Sequence, residues 1–391
     1  MPPSAIPMRI SQVLWTADGG WSGDDALSDE AQLVLAFGAR DALAESSAFD
    51  WLAARNPRAR IVSCSTGGEI RGTRALDGSV VATALAFDHA RVEVVSHPLD
   101  AAADAAVGSA AAGRRLAAAL PTDGLRHVLV LSEGVQINGS GLVRGLCEAL
   151  PAGVAVTGGL AGDGDRFVET VVGADAPPTP RTVVAVGFYG ERLRIGMGSL
   201  GGWEMFGPDR LITRSRGNVL YELDGQPALD LYRRYLGPQA AALPASALLF
   251  PLSLHAANGT DAEDGVVRTI LGVDERRGSL RFAGDVPEGM YARLMKTNVD
   301  RLIDGAAGAA LATYESLGRQ TPDFALLISC VGRKLVLRQR TEEELESVRE
   351  IFGPRAVLAG FYSYGEISPM TPEARCELHN QTMTITTLSE D

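Results

Sequence analysis

Cysteine is scarce in this chain of 391 residues. Cys64, Cys147, Cys330 and Cys376 are scattered and form no CxxC, so the spacing indicates neither a zinc knuckle nor a redox pair. Reduced thiols in a cytoplasm are the expectation. Histidine is sparse too: His89, His97, His127, His255 and His379 show no metal-ligand spacing. The absence of CxxCH excludes covalent, c-type haem attachment. Positive charge is in deficit, with 36 Lys and Arg against 48 Asp and Glu and a net charge of -12. Nucleic acid and anionic membrane surfaces need a basic face, so neither is expected as the main partner. No apolar run approaches the length of a membrane span. Met1 to Ala5 lack the basic region and long apolar segment of a signal peptide. GxSxG, HExxH and a P-loop are missing. Gly196 to Gly201 carry the letters of a dinucleotide loop. Gly202, Trp203 and Pro208 follow where a helix should open, so these are read as glycines at a strand end.

Glycine, by contrast, is plentiful, with 44 residues. Much of it falls in stretches that resemble one another. Residues 356–369 run from a short apolar stretch into Gly360, Phe361, Tyr362 and Tyr364, then turn through Gly365-Glu366-Ile367. Residues 59–70 read the same way and end on Gly68-Glu69-Ile70. A weaker copy, 154–164, places Asp163 near the position of the glutamate. Upstream of each copy lies an apolar run and then a helical pattern: 33–38 and 40–54, 127–134 and 140–150, 324–332 and 341–352. Short continuous apolar runs between turn signals read as buried strands. Each unit is therefore strand, turn, helix, strand, Gly-rich turn. In such units ligands usually meet the loops at the carboxyl ends of the strands.

The rest of the chain adds strands at 8–15, 80–87 and 91–97, a polar loop at 18–29, and an alanine-rich helix at 101–120 that Pro121 ends. A meander follows at 167–173, 182–189 and 193–200. After Trp203 the texture changes. A helix is expected at 228–236 after Pro227, with strands at 247–255, 265–273, 278–283 and 290–296, a helix at 300–317 and a last strand at 379–388. The expected fold class is α/β in the broad sense, mixed α/β and α+β. Its layered mixed sheets are built from repeated strand-helix-strand units with antiparallel meanders, in two domains, 1–222 and 223–391.

Candidate site residues come from the loops. Ser329 and Cys330 stand at a strand end, but no histidine is placed to activate them, and cysteine is usually a small buried hydrophobe. Glu69 and Glu366 recur in equivalent turns. Either could receive a ligand's ammonium group or cap backbone N–H groups; the structural role is favoured. His255 and His97 stand at strand ends and His379 opens the last strand, so each is a possible single axial ligand.

Several stretches carry a family resemblance. Leu223 to Gly237, Phe250-Pro-Leu252, Phe324 to Arg333, Gly360 to Ile367 and His379 to Thr384 resemble the FIST C domain. Ile61 to Ile70, Val156 to Gly159 and Gly201-Gly-Trp203 resemble the FIST N domain. The resemblance implies a cytoplasmic sensory module, not an enzyme, that binds a small ligand and signals through a partner. The absence of an attached output segment resembles the family's haem-binding nitric oxide sensor (NosP) branch, whose members control a separate histidine kinase or cyclic-di-GMP enzyme. On that reading haem b is the cofactor, His255 the first choice as ligand to its iron, and His379 and His97 the others. A second reading is a sensor of a small polar ligand such as an amino acid. It would be held by Ser329, Arg333, Phe361, Tyr362, Tyr364, Glu366, Thr66 and Glu69. A third is an enzyme built on the Ser-Cys or Gly-Glu-Ile loops. A homodimer is compatible with each.

Overall fold

The computed structural model describes residues 8–23, 29–100, 105–256, 265–370 and 375–391. Met1 to Ala5, part of the 18–29 loop, the first residues of the 101–120 helix and residues 257–259 after His255 lie outside the described residues.

The three sequence units become three six-stranded sheets. Each is centred on a parallel pair: Leu33–Gly38 with Arg60–Ser65, Leu125–Ser132 with Ala155–Leu160, and Phe324–Cys330 with Val357–Ser363. A parallel pair needs a crossover connection. Here it is helical in every unit: Arg40–Glu45 and Ala48–Arg55, then Gly139–Ala149, then Val331–Leu337 and Thr341–Phe352. An antiparallel strand flanks each pair, Ser79–Ala86, Thr182–Tyr189 and Met383–Glu390 respectively.

The Gly-rich turns then hand the chain from one sheet to the next in a closed cycle. Glu69–Arg71 leaves the first unit and pairs with Val357–Ser363 of the third. Gly365–Pro369 leaves the third and pairs with Ala155–Leu160 of the second. Val172–Ala174 leaves the second and pairs with Arg60–Ser65 of the first.

The period-2 alternation of strands explains where the core sits. Leu33, Leu35 and Phe37 of the first sheet, Leu129 and Leu131 of the second, and Leu326 and Ile328 of the third meet in one common cluster. Phe37 and Phe361 are in contact there, with ring centroids 4.8 Å apart. The alternate residues face each sheet's own helices: Val34 meets Leu52, Val128 and Val130 meet Leu142 and Leu146, and Ala325 and Leu327 meet Leu345 and Val348.

Between strand Leu193–Leu200 and helix Val299–Ser316 the chain builds a separate eight-stranded antiparallel sheet. It has its own core, on which helix Ala228–Leu236 lays Ala228, Leu229, Tyr232 and Leu236. The expected boundary at 222/223 falls within this sheet, at the end of strand Val219–Leu223. Strands of the two expected domains also share sheets, as Leu193–Leu200 with Met383–Glu390.

Five expectations are corrected. The 18–29 loop holds a strand, Gly20–Gly23, and the strand expected at 167–173 is confined to Val172–Ala174. Of residues 247–255, only Leu252–His255 is strand, and Ala245–Leu249 is a 3-10 turn. The 265–273 run breaks at Thr269 into Val266–Arg268 and Ile270–Asp274, because the Thr269 N–H donates to Asn380 Oδ1 rather than to a neighbouring strand. The last strand, read from 379, is two strands in two sheets. Cys376–His379 pairs with Gly365–Pro369, and Met383–Glu390 pairs with Phe324–Cys330. Gln381, at φ 66°, turns the chain between them.

Candidate functional site

The Gly-rich turns lock against one another at the junction of the sheets. Gly67 N–H donates to Tyr362 O (2.7 Å), Gly162 N–H to Ser65 O (2.9 Å) and Tyr364 N–H to Leu160 O (3.1 Å). The repeated carboxylates serve this junction. Glu69 accepts from Thr66 Oγ1 and from the N–H and Oγ of Ser79. Glu366 accepts from Ser363 Oγ and from the N–H and Oγ1 of Thr382. Asp163 takes the Tyr364 hydroxyl and the N–H groups of Phe167, Val168 and Glu169. Burial pushes Glu69 up to about 7 and Glu366 up to about 8, against the pull of their donors.

Ser329, Arg333 and Tyr362 are brought together, but around a fourth residue that the sequence reading missed. The Arg333 guanidinium grips Glu344 (Nε 3.1 Å, Nη2 3.0 Å) and the carbonyls of Gly201 (2.5 Å) and Leu302 (2.6 Å). Ser329 Oγ and the Tyr362 hydroxyl donate to the same Glu344 carboxylate, at 3.2 and 2.9 Å. Arg333 and Glu344 are fully buried. Phe361 packs on Phe37, and Tyr364 stacks on Phe167 at 4.6 Å. The eight residues expected to hold a polar ligand are thus buried and engaged with the protein itself. Cys330 is buried, and burial pushes its thiol well above the usual range.

The histidines are separated. His255 is buried and both its nitrogens are in use, Nε2 against Asp209 Oδ1 (3.0 Å) and Nδ1 against Ala256 O (3.1 Å). His379 is buried with Nε2 against Ser368 O (3.0 Å), and burial pushes it down to about 4. His97 is half-buried, with Nε2 2.9 Å from Arg115 Nη1.

A cavity of about 1010 Å³ opens elsewhere, where the eight-stranded unit meets the second sheet. Helix Gly139–Ala149 contributes Ser140, Arg144 and Cys147; strand Cys376–His379 contributes Cys376, Glu377 and Leu378. Leu254, Val266, Arg268, Asp285 and Met290 come from the eight-stranded unit. The helix starts where it does because Asn138 caps it, its Oδ1 accepting Gly141 N–H at 2.9 Å.

Arg268 is the unusual group. It is 6% exposed, and its partners are all neutral: Asp285 O (3.0 Å), Leu378 O (2.8 Å), Val267 O (3.3 Å) and Ser140 Oγ (3.1 Å). Burial pushes it down to about 10, and Glu377 and Asp285 oppose that only from a distance. The Asp285 carboxylate is already engaged by Arg144 (3.0 Å) and Asn138 (2.6 Å). Ser140 Oγ accepts from both Arg268 and Asp285 N–H and keeps its own hydroxyl proton to give. None of the residues expected from sequence lines this cavity. Its wall comes from segments far apart in the chain. An arginine in a short strand was the one signal available.

The histidines through which the resemblance would bind haem lie away from this cavity. None of the five histidines is on the cavity wall, and His255, beside Leu254, turns its ring to Asp209 and Tyr291.

The family model for the FIST N domain matches residues 32–226, and that for the FIST C domain matches residues 228–369. The chain belongs to the FIST family. Its domains mark a ligand-binding sensor in signalling. Among the described residues no helix of this FIST protein is long and apolar enough to cross a membrane. A search of curated proteins gave no match. Among solved structures, a cyanuric acid hydrolase from A. caulinodans is similar at 8% identity and a TM-score of 0.41, over 98% of this chain and 99% of that chain. A second cyanuric acid hydrolase structure is similar at 10% identity and a TM-score of 0.34, over 99% and 100%. At these values the likeness carries no inference about the FIST protein's chemistry.

Proposed function

We propose that this FIST protein senses a small anionic or zwitterionic ligand, an amino acid by class, bound in the cavity at Arg268. The observation that supports this most is a buried guanidinium beside open space with no carboxylate in contact among the described residues. A buried charge without a counter-ion is costly, and a ligand carboxylate would supply one through a charge-assisted hydrogen bond. Ser140 would donate a second bond to the carboxylate. Glu377, exposed on the cavity wall, suits an ammonium group, whereas Glu148 is paired with Arg114. The apolar wall, with Leu254, Val266, Met290 and Leu378, suits a side chain.

Signalling follows from where the cavity lies. A ligand touching both Ser140 and Arg268 bridges helix Gly139–Ala149 and the eight-stranded unit. It would favour whichever packing of the two it binds better, and that shift is what a separate histidine kinase or cyclic-di-GMP enzyme in the cytoplasm would read. Catalysis is not part of the proposal, because Ser329 and Cys330 are buried and engaged. The haem and nitric oxide reading has less support, since no histidine faces the cavity.

The test is a thermal-shift screen of the common amino acids and short dicarboxylates, alongside an absorption spectrum after haem supply. A ligand at one hundred times its Kd stabilises by about 2.7 kcal/mol, a readable shift. A colourless protein stabilised by one member of the panel supports the proposal. A Soret band lost in His255→Ala would overturn it in favour of haem.

A further inference from the structure

Cys147 and Cys376 lie 229 positions apart in the sequence, and nothing in their spacing links them. The fold does. Cys147 is on the exposed side of helix Gly139–Ala149, and Cys376 opens strand Cys376–His379, half-buried. Helix and strand pack directly on each other: a Cβ on Gly139 would meet the Leu378 side chain at 2.8 Å. Both cysteines line the same cavity, and each thiol acts on the other's protonation. Cys376 Sγ also donates to Val156 O at 3.2 Å, which holds the thiol in place. The other two cysteines, Cys64 and Cys330, are buried.

We propose that Cys147 and Cys376 are a modification site: a peroxide-reactive thiol pair that closes to an intramolecular disulfide across the cavity wall. The roles differ by environment. Cys376 beside it holds the Cys147 thiol below its ordinary range, whereas burial pushes Cys376 well up. The thiolate is the nucleophile, and Cys147 is both exposed and the better thiolate, so it reacts first. Its sulfur attacks one oxygen of hydrogen peroxide. The O–O bond breaks, Cys147 becomes a sulfenic acid, and the departing hydroxide leaves as water with the thiol's proton. Cys376 then attacks the Cys147 sulfur. The S–O bond breaks, the Cys376 proton leaves with the hydroxide as a second water, and the disulfide forms. Two thiols are oxidised and one peroxide is reduced to two waters.

A disulfide requires Cα atoms within about 7 Å, a separation that a helix and a strand in direct contact can reach. The bond would fix helix Gly139–Ala149 to the strand that carries Leu378, on the side where the cavity opens. This inference does not depend on what the cavity binds.

The experiment uses the full, pre-reduced chain, treated with a few equivalents of hydrogen peroxide, alkylated, and mapped by mass spectrometry. The expected result is a protein lighter by two hydrogens, carrying a peptide that joins Cys147 to Cys376. Cys147→Ser should abolish that peptide. Cys376→Ser should let the Cys147 sulfenic acid accumulate, so that a 1,3-dione probe labels it at least several-fold more than in the wild type. Labelling of Cys147 that is equal with and without Cys376 would overturn the proposal. So would an intermolecular Cys147 disulfide, or peroxide reaction at Cys64 or Cys330 ahead of Cys147.

Discussion

Arg333→Met asks whether Arg333 holds the fold or holds a ligand. The side chain is fully buried and engages the Glu344 carboxylate and the carbonyls of Gly201 and Leu302. Methionine keeps much of the volume and removes every donor. Glu344 is left as a buried anion supported only by the hydroxyls of Ser329 and Tyr362. Breaking one side of a buried ion pair costs about 3–5 kcal/mol. Each orphaned carbonyl adds roughly 1 kcal/mol. Against a total stability of about 5–15 kcal/mol, the variant loses a third or more. Urea denaturation gives the midpoint and slope from which the change is read. The double variant Arg333→Met/Glu344→Leu should recover most of the loss, because no uncompensated charge remains. A single variant within about 1 kcal/mol of the wild type would refute the reasoning, as would a double variant no better than the single. If Arg333→Met kept its stability but lost ligand-induced stabilisation, the sequence reading of Arg333 as a ligand group would stand instead.

Other outcomes follow from the same contacts. Glu69 and Glu366 hold their protons to about 7 and about 8, above the ordinary 4.5, so the folded state binds protons the unfolded chain has released. Their stabilising contribution is full below 4.5 and is lost as pH rises through those values. Glu366→Gln should flatten the fall in melting temperature between about pH 5 and 8, and an unchanged slope would contradict this. His379 has the opposite sign: burial holds it at about 4, below 6.5, so its contribution is present above 6.5 and lost as pH falls through 4. A Cβ at Gly145 would clash with the Ala110 carbonyl of helix Ala105–Ala119. Gly145→Ala should therefore cost about 1–3 kcal/mol in a denaturation curve, although alanine is the better helix former.

The units of the fold were legible because a buried strand is an apolar run and a turn between sheets needs glycine. Gly67, for example, sits where a Cβ would press on Val331 at 2.8 Å. The exchange of strands was not legible. Glu69–Arg71 pairs with a strand almost three hundred residues away, and no local pattern records that. Residues 376–390 alternate as one strand would, and only Gln381 at positive φ divides them. Glu344 sits among Glu342, Glu343 and Glu346 and reads as part of a solvated helix face, yet it is the one whose side chain points inward to Arg333. The cavity escaped notice for a related reason. Its walls belong to a helix, a strand end and a second sheet, each ordinary alone, and Arg268 becomes unusual only once burial has taken it from water with only neutral partners in contact among the described residues.

The most direct test of the account is isothermal titration of the amino acid that gives the largest thermal shift, into wild type, Ser140→Ala and Arg268→Lys. Lysine keeps the charge but cannot reproduce the planar fork, and a hydrogen bond to a charged group contributes about 1.5–3 kcal/mol. The account predicts saturable binding to the wild type, at least tenfold weaker in Arg268→Lys and weaker in Ser140→Ala. Equal affinity in all three proteins, or binding abolished by Arg333→Met in a folded protein instead, would contradict it.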